Sequence, residues 1–140
     1  MKKDVWVRVK GVQRNERGEE DIIELITEGR LFRKEDSYYI IYRETAISGM
    51  EGTTTSLKVE PSRVTLNRMG ASEQKQTFEE GLLHTGSYIT AFGTFHMSVI
   101  TSRVDVDLTD DGGSINLEYE LQVGREKISD NKLSIMVENR

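Results

Sequence analysis

Cysteine is absent from the 140 residues, which excludes a disulfide framework and any thiol chemistry. Histidine occurs only twice, as His84 and His96. Metal sites need several converging donors at suitable spacing, and neither histidine sits in such a cluster, so no metal and no cofactor is expected. No apolar run approaches the ~20 residues that a membrane-spanning helix requires. The opening Met1-Lys2-Lys3 passes directly into Asp4-Val5-Trp6-Val7-Arg8, with no uninterrupted apolar segment of the kind a secretory signal carries; a cytoplasmic location is the expectation. A surplus of basic charge is also missing. The net charge is −5 and the isoelectric point about 5.2, against a nucleic-acid partner, which selects for a basic stripe. Arg30, Arg33 and Lys34 are interleaved with Glu28, Glu35 and Asp36, the pattern of a solvated mixed-charge face. A phosphate-cradling loop is lacking, because Gly49-x-x-Gly52 has neither the lysine nor the following helix. Hydrophobic residues make up 36% and glycines number 12, enough for one modest core. The length fits a single domain spanning 1–140.

What the chain has is alternation. Val5, Val7 and Val9 occupy every second position near the start. Ile115, Leu117, Tyr119, Leu121 and Val123 do so near the end. A period of two marks strands with one buried and one wet face. Strands are expected over 4–14, 19–33, 37–45, 53–60, 63–69, 73–80, 87–92, 94–107, 114–123 and 132–138. Asn15-Glu16-Arg17-Gly18, Pro61-Ser62 and Asp110-Asp111-Gly112-Gly113 read as tight turns. Residues 81–86 read as a loop, and Gly93 as a bend or bulge rather than a full turn. Two segments are ambiguous. Ile22, Ile23, Leu25 and Ile26 also fit helical spacing, and 73–80 has a helix-forming composition. The strand is preferred for both, with Ile23, Leu25, Thr27 and Leu31 inward in the first. The fold expected is all-β: a single antiparallel meander of about eight to ten strands closing into a barrel.

The segments TEGRLFRKEDSYYIIYRE, GMEGTTTSLKVE with RVTLNRMG, GSYITAFGTFHMSVITS and GGSINLEYEL resemble the small bacterial YwiB-like proteins, a family of unknown function with a calycin-like β-barrel. The resemblance covers nearly the whole chain. It implies a lipocalin-like barrel and supports strands at both ambiguous segments. It transfers no activity and no catalytic or ligand-binding residue. Kinship of fold with lipocalins concerns cavities and does not by itself indicate a ligand.

Candidate chemistry is sparse. Ser72-Glu73-Gln74-Lys75 matches a Ser-x-x-Lys spacing, which on a helix would let the lysine act on the serine. Its partner motifs are missing and the segment reads as a strand, so a solvated turn is preferred. His84 reads as a loop residue and His96 as outward-facing. The charges with inward parity are more informative. Tyr38, Ile40, Tyr42 and Glu44 share one strand face, and Val64, Leu66 and Arg68 share another. A buried charge costs several kcal/mol unless it is paired and hydrogen-bonded. Glu44 and Arg68 are therefore expected to form an ion pair near the barrel interior, a polar anchor for a ligand. The plainer alternative, which carries more weight, is that strand ends return both to solvent. Tyr88, Phe92 and Phe95, with Met97, either line a cavity or fill it, since an eight-stranded barrel is just wide enough for either; the filled reading is preferred. Trp6 lies opposite the valine face, on the surface or under a partner.

Two functions stand from this. The first is a binding module for a small, partly apolar ligand, with Tyr42, Glu44, Arg68, Tyr88, Phe92 and Phe95 as the positions of interest. The second is a structural or interaction protein with a filled barrel, acting through its surface or as a homodimer around Trp6. An enzyme ranks below both, because no nucleophile–base pair is visible and no catalytic residue can be named.

Overall fold

A computed structural model describes residues 2–71 and 73–140. The strands among them are β1 (Lys2–Asn15), β2 (Glu20–Lys34), β3 (Ser37–Arg43), β4 (Thr53–Val59), β5 (Arg63–Gly70), β6 (Glu73–Glu79), β7 (Leu83–Thr90), β8 (Gly93–Thr109), β9 (Gly112–Val123) and β10 (Glu126–Asn139), with a 3-10 helix at Ala46–Ser48. Each strand pairs antiparallel with its sequence neighbours, and β1 also pairs with β10, which closes the meander into a barrel. The short connections leave only this topology open, since they cannot cross the barrel. No helix among the described residues is long and apolar enough to cross a membrane.

Alternation decides what goes inside. Val5, Val7, Leu31, Ile40, Leu57, Val64, Ile115, Leu117 and Ile135 are almost completely buried. Each stabilises the fold by about 1.5–3 kcal/mol relative to leaving it in water. The rings of Phe78 and Tyr119, from β6 and β9, pack with centroids 4.7 Å apart. Much of the interior is thus filled with side chains.

The helical spacing in β2 is coincidental. Leu25 and Leu31 are buried and Thr27 half-buried, whereas Ile22 and Ile26 are each 58% exposed. A helix would have put Ile22 and Ile26 on the same face as Leu25. Ile23 keeps inward parity but stands at the barrel end, where it remains exposed. The segment 73–80 is likewise a strand, because it pairs with β5 from Arg63↔Glu79 to Arg68↔Gln74.

Three boundaries differ most from expectation. Residues 83–86 belong to β7 rather than to a loop, because Leu83 to Gly86 pair with Ile100 to Met97 of β8. A full hairpin turn falls at Ala91-Phe92, and Gly93 opens β8 instead of bending it. β10 begins at Glu126, ahead of Lys132, since β9 holds it in register from Val123↔Glu126 onward. β8 can run for 17 residues because a bulge between Thr101 and Arg103 shifts its register. The extra residue moves the inward set from Val99 and Thr101 to Val104 and Val106. The Ser102 hydroxyl donates to the Glu118 carbonyl at 3.1 Å, satisfying an acceptor where the ladder is disturbed.

Gly113 shows how tightly the ladders pack. Its φ is 143°, and a Cβ there would lie 1.9 Å from the Asp107 carbonyl oxygen. Gly18, in the first hairpin, has φ 79° with open space around it. Gly113→Ala is expected to cost about 3 kcal/mol or more, since strain and clash combine, and Gly18→Ala about 1 kcal/mol from strain alone. Urea unfolding midpoints measure both, and equal losses would contradict the close approach at Gly113.

Candidate functional site

In an up-and-down barrel the connections alternate between the two ends. The β1–β2, β3–β4, β5–β6, β7–β8 and β9–β10 connections share one end, and a cavity of about 270 Å³ opens there. Leu25, Leu66, Leu133 and Ile135 form apolar wall, Tyr42, Glu44, Arg68, Tyr119 and Asn131 supply polar groups, and Ser48 and Met50 from the β3–β4 connection reach the rim.

Glu44 points inward because strand pairing outlasts β3. Its backbone N–H donates to the Thr53 carbonyl at 2.9 Å, so Glu44 keeps the parity of Ile40 and Tyr42. Thr45 then caps the 3-10 helix, its hydroxyl accepting from the Ile47 N–H at 3.3 Å. The Glu44 side chain is 2% exposed and that of Arg68 20%. Thr55 Oγ1 donates to Glu44 Oε1 at 2.6 Å. Arg68 Nε lies 3.6 Å from the same oxygen, too far for a hydrogen bond, and is a buried donor without an acceptor. Arg68 Nη1 donates to Gln74 Oε1 at 2.7 Å. The two charges expected to meet do meet, with Glu44 in the interior and one fifth of the Arg68 side chain still exposed.

Tyr42, Thr55, Arg68, Gln74, Tyr88 and Phe95 are consecutive register partners across β3 to β8. The barrel's stagger makes such a row climb along the axis. It runs past the cavity from Tyr42 to Arg68 and leaves it after Arg68. Tyr88 is therefore half-buried outside the cavity lining, and Phe95 is 47% exposed. Phe92 is 96% exposed, because it occupies the β7–β8 turn itself. Of the six positions of interest, Tyr42, Glu44 and Arg68 line the cavity, and Tyr88, Phe92 and Phe95 do not. Tyr119 and Asn131 had not been singled out. Tyr119 carries the only hydroxyl in the alternating run 115–123 with inward parity, which was a usable signal. Asn131 is brought in by the part of β10 that precedes Lys132, and no pattern in the sequence marks it.

Elsewhere, His84 lies on β7, its Nε2 2.9 Å from Glu79 Oε1, and His96 is exposed on β8. Ser72 of the Ser-x-x-Lys match lies outside the described residues, and Lys75 pairs with Ser87 within the sheet.

A family model described as a domain of unknown function (DUF1934) matches residues 7–135. The chain belongs to this family. Within DUF1934 it is similar to the uncharacterized β-barrel protein YwiB of Bacillus subtilis (strain 168), at 28% identity over 123 residues, covering 88% of this chain and 84% of that one. The crystal structure of the ywiB protein from Bacillus subtilis superposes with a TM-score of 0.90 at 25% identity, over 99% of this chain and 93% of that chain.

Burial raises the pKa of the Tyr42 hydroxyl well above the ordinary tyrosine value, and the Glu44 charge adds to the effect. Burial likewise raises Tyr119, with Arg68 partly opposing. Both shifts favour the neutral phenol in the folded state. Below about pH 10 the folded and unfolded chains both keep these protons. Above it the unfolded chain releases them first, so stability falls with rising pH. Tyr42→Phe is expected to flatten that loss, read as unfolding midpoints between about pH 8 and about pH 11; an unchanged slope would refute the assignment. A double-mutant cycle of Glu44→Gln and Arg68→Met is expected to give a coupling of about 1–3 kcal/mol. That is below the cost of breaking a fully buried pair, because Arg68 keeps contact with solvent. Coupling at the level of an exposed pair, near zero, would contradict the geometry.

Proposed function

We propose that this DUF1934 protein is a cytoplasmic binding module that takes a small, partly apolar molecule into the open end of its barrel, in the manner of a lipocalin. The observation that carries this reading is a largely buried ion pair facing a cavity whose wall is part aliphatic, from Val9, Leu25, Leu66, Leu133 and Ile135, and part polar, with Tyr42, Tyr119 and Asn131 beside the pair. A chain with a modest core accepts the desolvation of two charges here, and the guanidinium holds a buried N–H without an acceptor. Ligand sites combine apolar walls with a few convergent polar groups in this way.

The volume limits the ligand. About 270 Å³ is just under the ~300–1,000 Å³ of drug-sized sites. It is nearly twice the ~150 Å³ that holds a benzene molecule. A single substituted ring or a short branched chain fits. Its apolar body would lie along Leu25, Leu66 and Ile135, with a hydrogen-bond acceptor toward Arg68 and Tyr119, and with Glu44 and Gln74 holding Arg68 in place.

Native mass spectrometry of freshly purified protein, followed by calorimetry with single-ring carboxylates such as benzoate, tests the reading. Saturable binding is expected. Arg68→Met should weaken it about tenfold or more, since a lost charge-assisted hydrogen bond is worth about 1.5–3 kcal/mol. Leu66→Trp should abolish it by filling the cavity while the circular dichroism stays that of a barrel. Bare protein in the mass spectra together with no saturable binding across the panel would reject it.

A further inference from the structure

The outer face of β10, β1 and β2 carries a patch that the cavity does not explain. Trp6, Ile26 and Met136 are 40%, 58% and 44% exposed. With Arg8 and Glu138 they line a shallow depression. Arg8 stands between two apolar register partners, Ile26 and Met136, while Trp6 stands between Glu28 and Glu138. The charges around the patch are paired within the chain: Lys10 with Glu24 at 3.7 Å, Arg30 with Asp4 at 3.8 Å, and Arg140 with Glu28 at 2.9 Å. Among the described residues, Arg8 and Glu138 join no ion pair. A cation set between exposed apolar groups, one register step from an unpaired carboxylate, is poorly used on a free surface. Exposed apolar patches rimmed by charge mark protein contacts.

We propose that this face binds a second copy of the chain, about a two-fold axis that lies in the interface, runs across the strands and passes between Trp6 and Arg8. Such an axis sets each strand against its own counterpart in reverse, as an isologous contact requires. Trp6, whose ring already carries its own chain's Arg140 guanidinium 5.3 Å from the centroid, then meets the second copy's Arg8, a second cation–π contact. Glu28 and Glu138 fall within one strand spacing of that same arginine. Asp4 meets the second copy's Lys10, and Arg30 meets its Glu24. The charges that face each other directly across the axis, Asp4 with Lys10 and Arg30 with Glu24, are of opposite sign, and Ile26 and Met136 cover the stems of Glu28 and Glu138. This register follows from the residues at alternate positions on three strands and owes nothing to the ligand reading.

The area is modest. Eight residues of strand at ~3.4 Å each, over three strands ~4.8 Å apart, cover ~390 Å² on each copy, about 800 Å² of surface buried in total. That is below the ~1,200 Å² of a stable specific interface, so the association is weak and transient.

Sedimentation velocity of the full chain from about 1 µM to about 1 mM reads this directly. The mass is expected to move from 16.0 kDa toward twice that value. Arg8→Glu, which faces glutamates across the axis, should weaken association about tenfold or more with circular dichroism and melting unchanged. Asp4→Lys alone and Lys10→Asp alone should each weaken it, and the double variant should restore it, since each residue then again meets its opposite. A chain that stays monomeric throughout, or a dimer indifferent to Arg8→Glu, overturns the proposal and leaves this face to a different partner. A double variant no tighter than the single ones overturns the register.

Discussion

The ladder between β1 and β10 is the contact on which the rest of this molecule depends. It runs unbroken from Val5↔Asn139 to Asn15↔Ser129 and joins the first strand to the last. A meander without it would present two long edges of unpaired backbone groups, each a template for aggregation. With it, every strand has a neighbour on both sides, and each side chain is committed to inside or outside by parity. A slip of one residue would send Val5, Val7 and Val9 into water and Trp6 and Arg8 into the core. The burial of those valines therefore fixes the register, and the register fixes the composition of both surfaces.

Closure also creates the cavity. Ten strands enclose more space than eight, and barrel diameter grows with strand number. The middle is filled by aliphatic side chains and by the Phe78–Tyr119 ring pair. Toward the end that holds Glu44 and Arg68, the packing gives way to polar groups. Two aliphatic residues of similar volume would pack there at no desolvation cost, and such replacements are often neutral or stabilising. An ion pair retained where apolar filling was available is what directs attention to function at this end. The same frame presents Trp6 and Arg8 outward on the strand whose valines build the core, so the cavity and the outer patch are two faces of one register.

Much of this was legible in the residues. Alternation gave the strand class, the inward valines and leucines, and most turns. It also gave the inward parity of Tyr42, Glu44 and Arg68, because parity is local to a strand. β2 was harder, since Ile22, Ile23, Leu25 and Ile26 satisfy two periods at once over so short a run. Only their pairing with β1 separates outward Ile22 and Ile26 from inward Ile23 and Leu25.

Other features needed the tertiary structure, for a physical reason. Parity tells which face a side chain takes but not how far along the barrel axis it sits. That height depends on stagger, a sum over all the strand pairings between two residues. Tyr88 and Phe95 share the inward row of Arg68 and still clear the cavity, because the row has climbed past its mouth. Asn131 reaches the site from the far end of the chain for the same reason. The amino-acid sequence by itself determined that this is an antiparallel barrel with a charged pair of inward parity. Only the closed structure decided that the pair meets, that Thr55 and Gln74 hold it, and that the space beside it stays open, because each is a distance between strands, and such distances are set when the barrel closes.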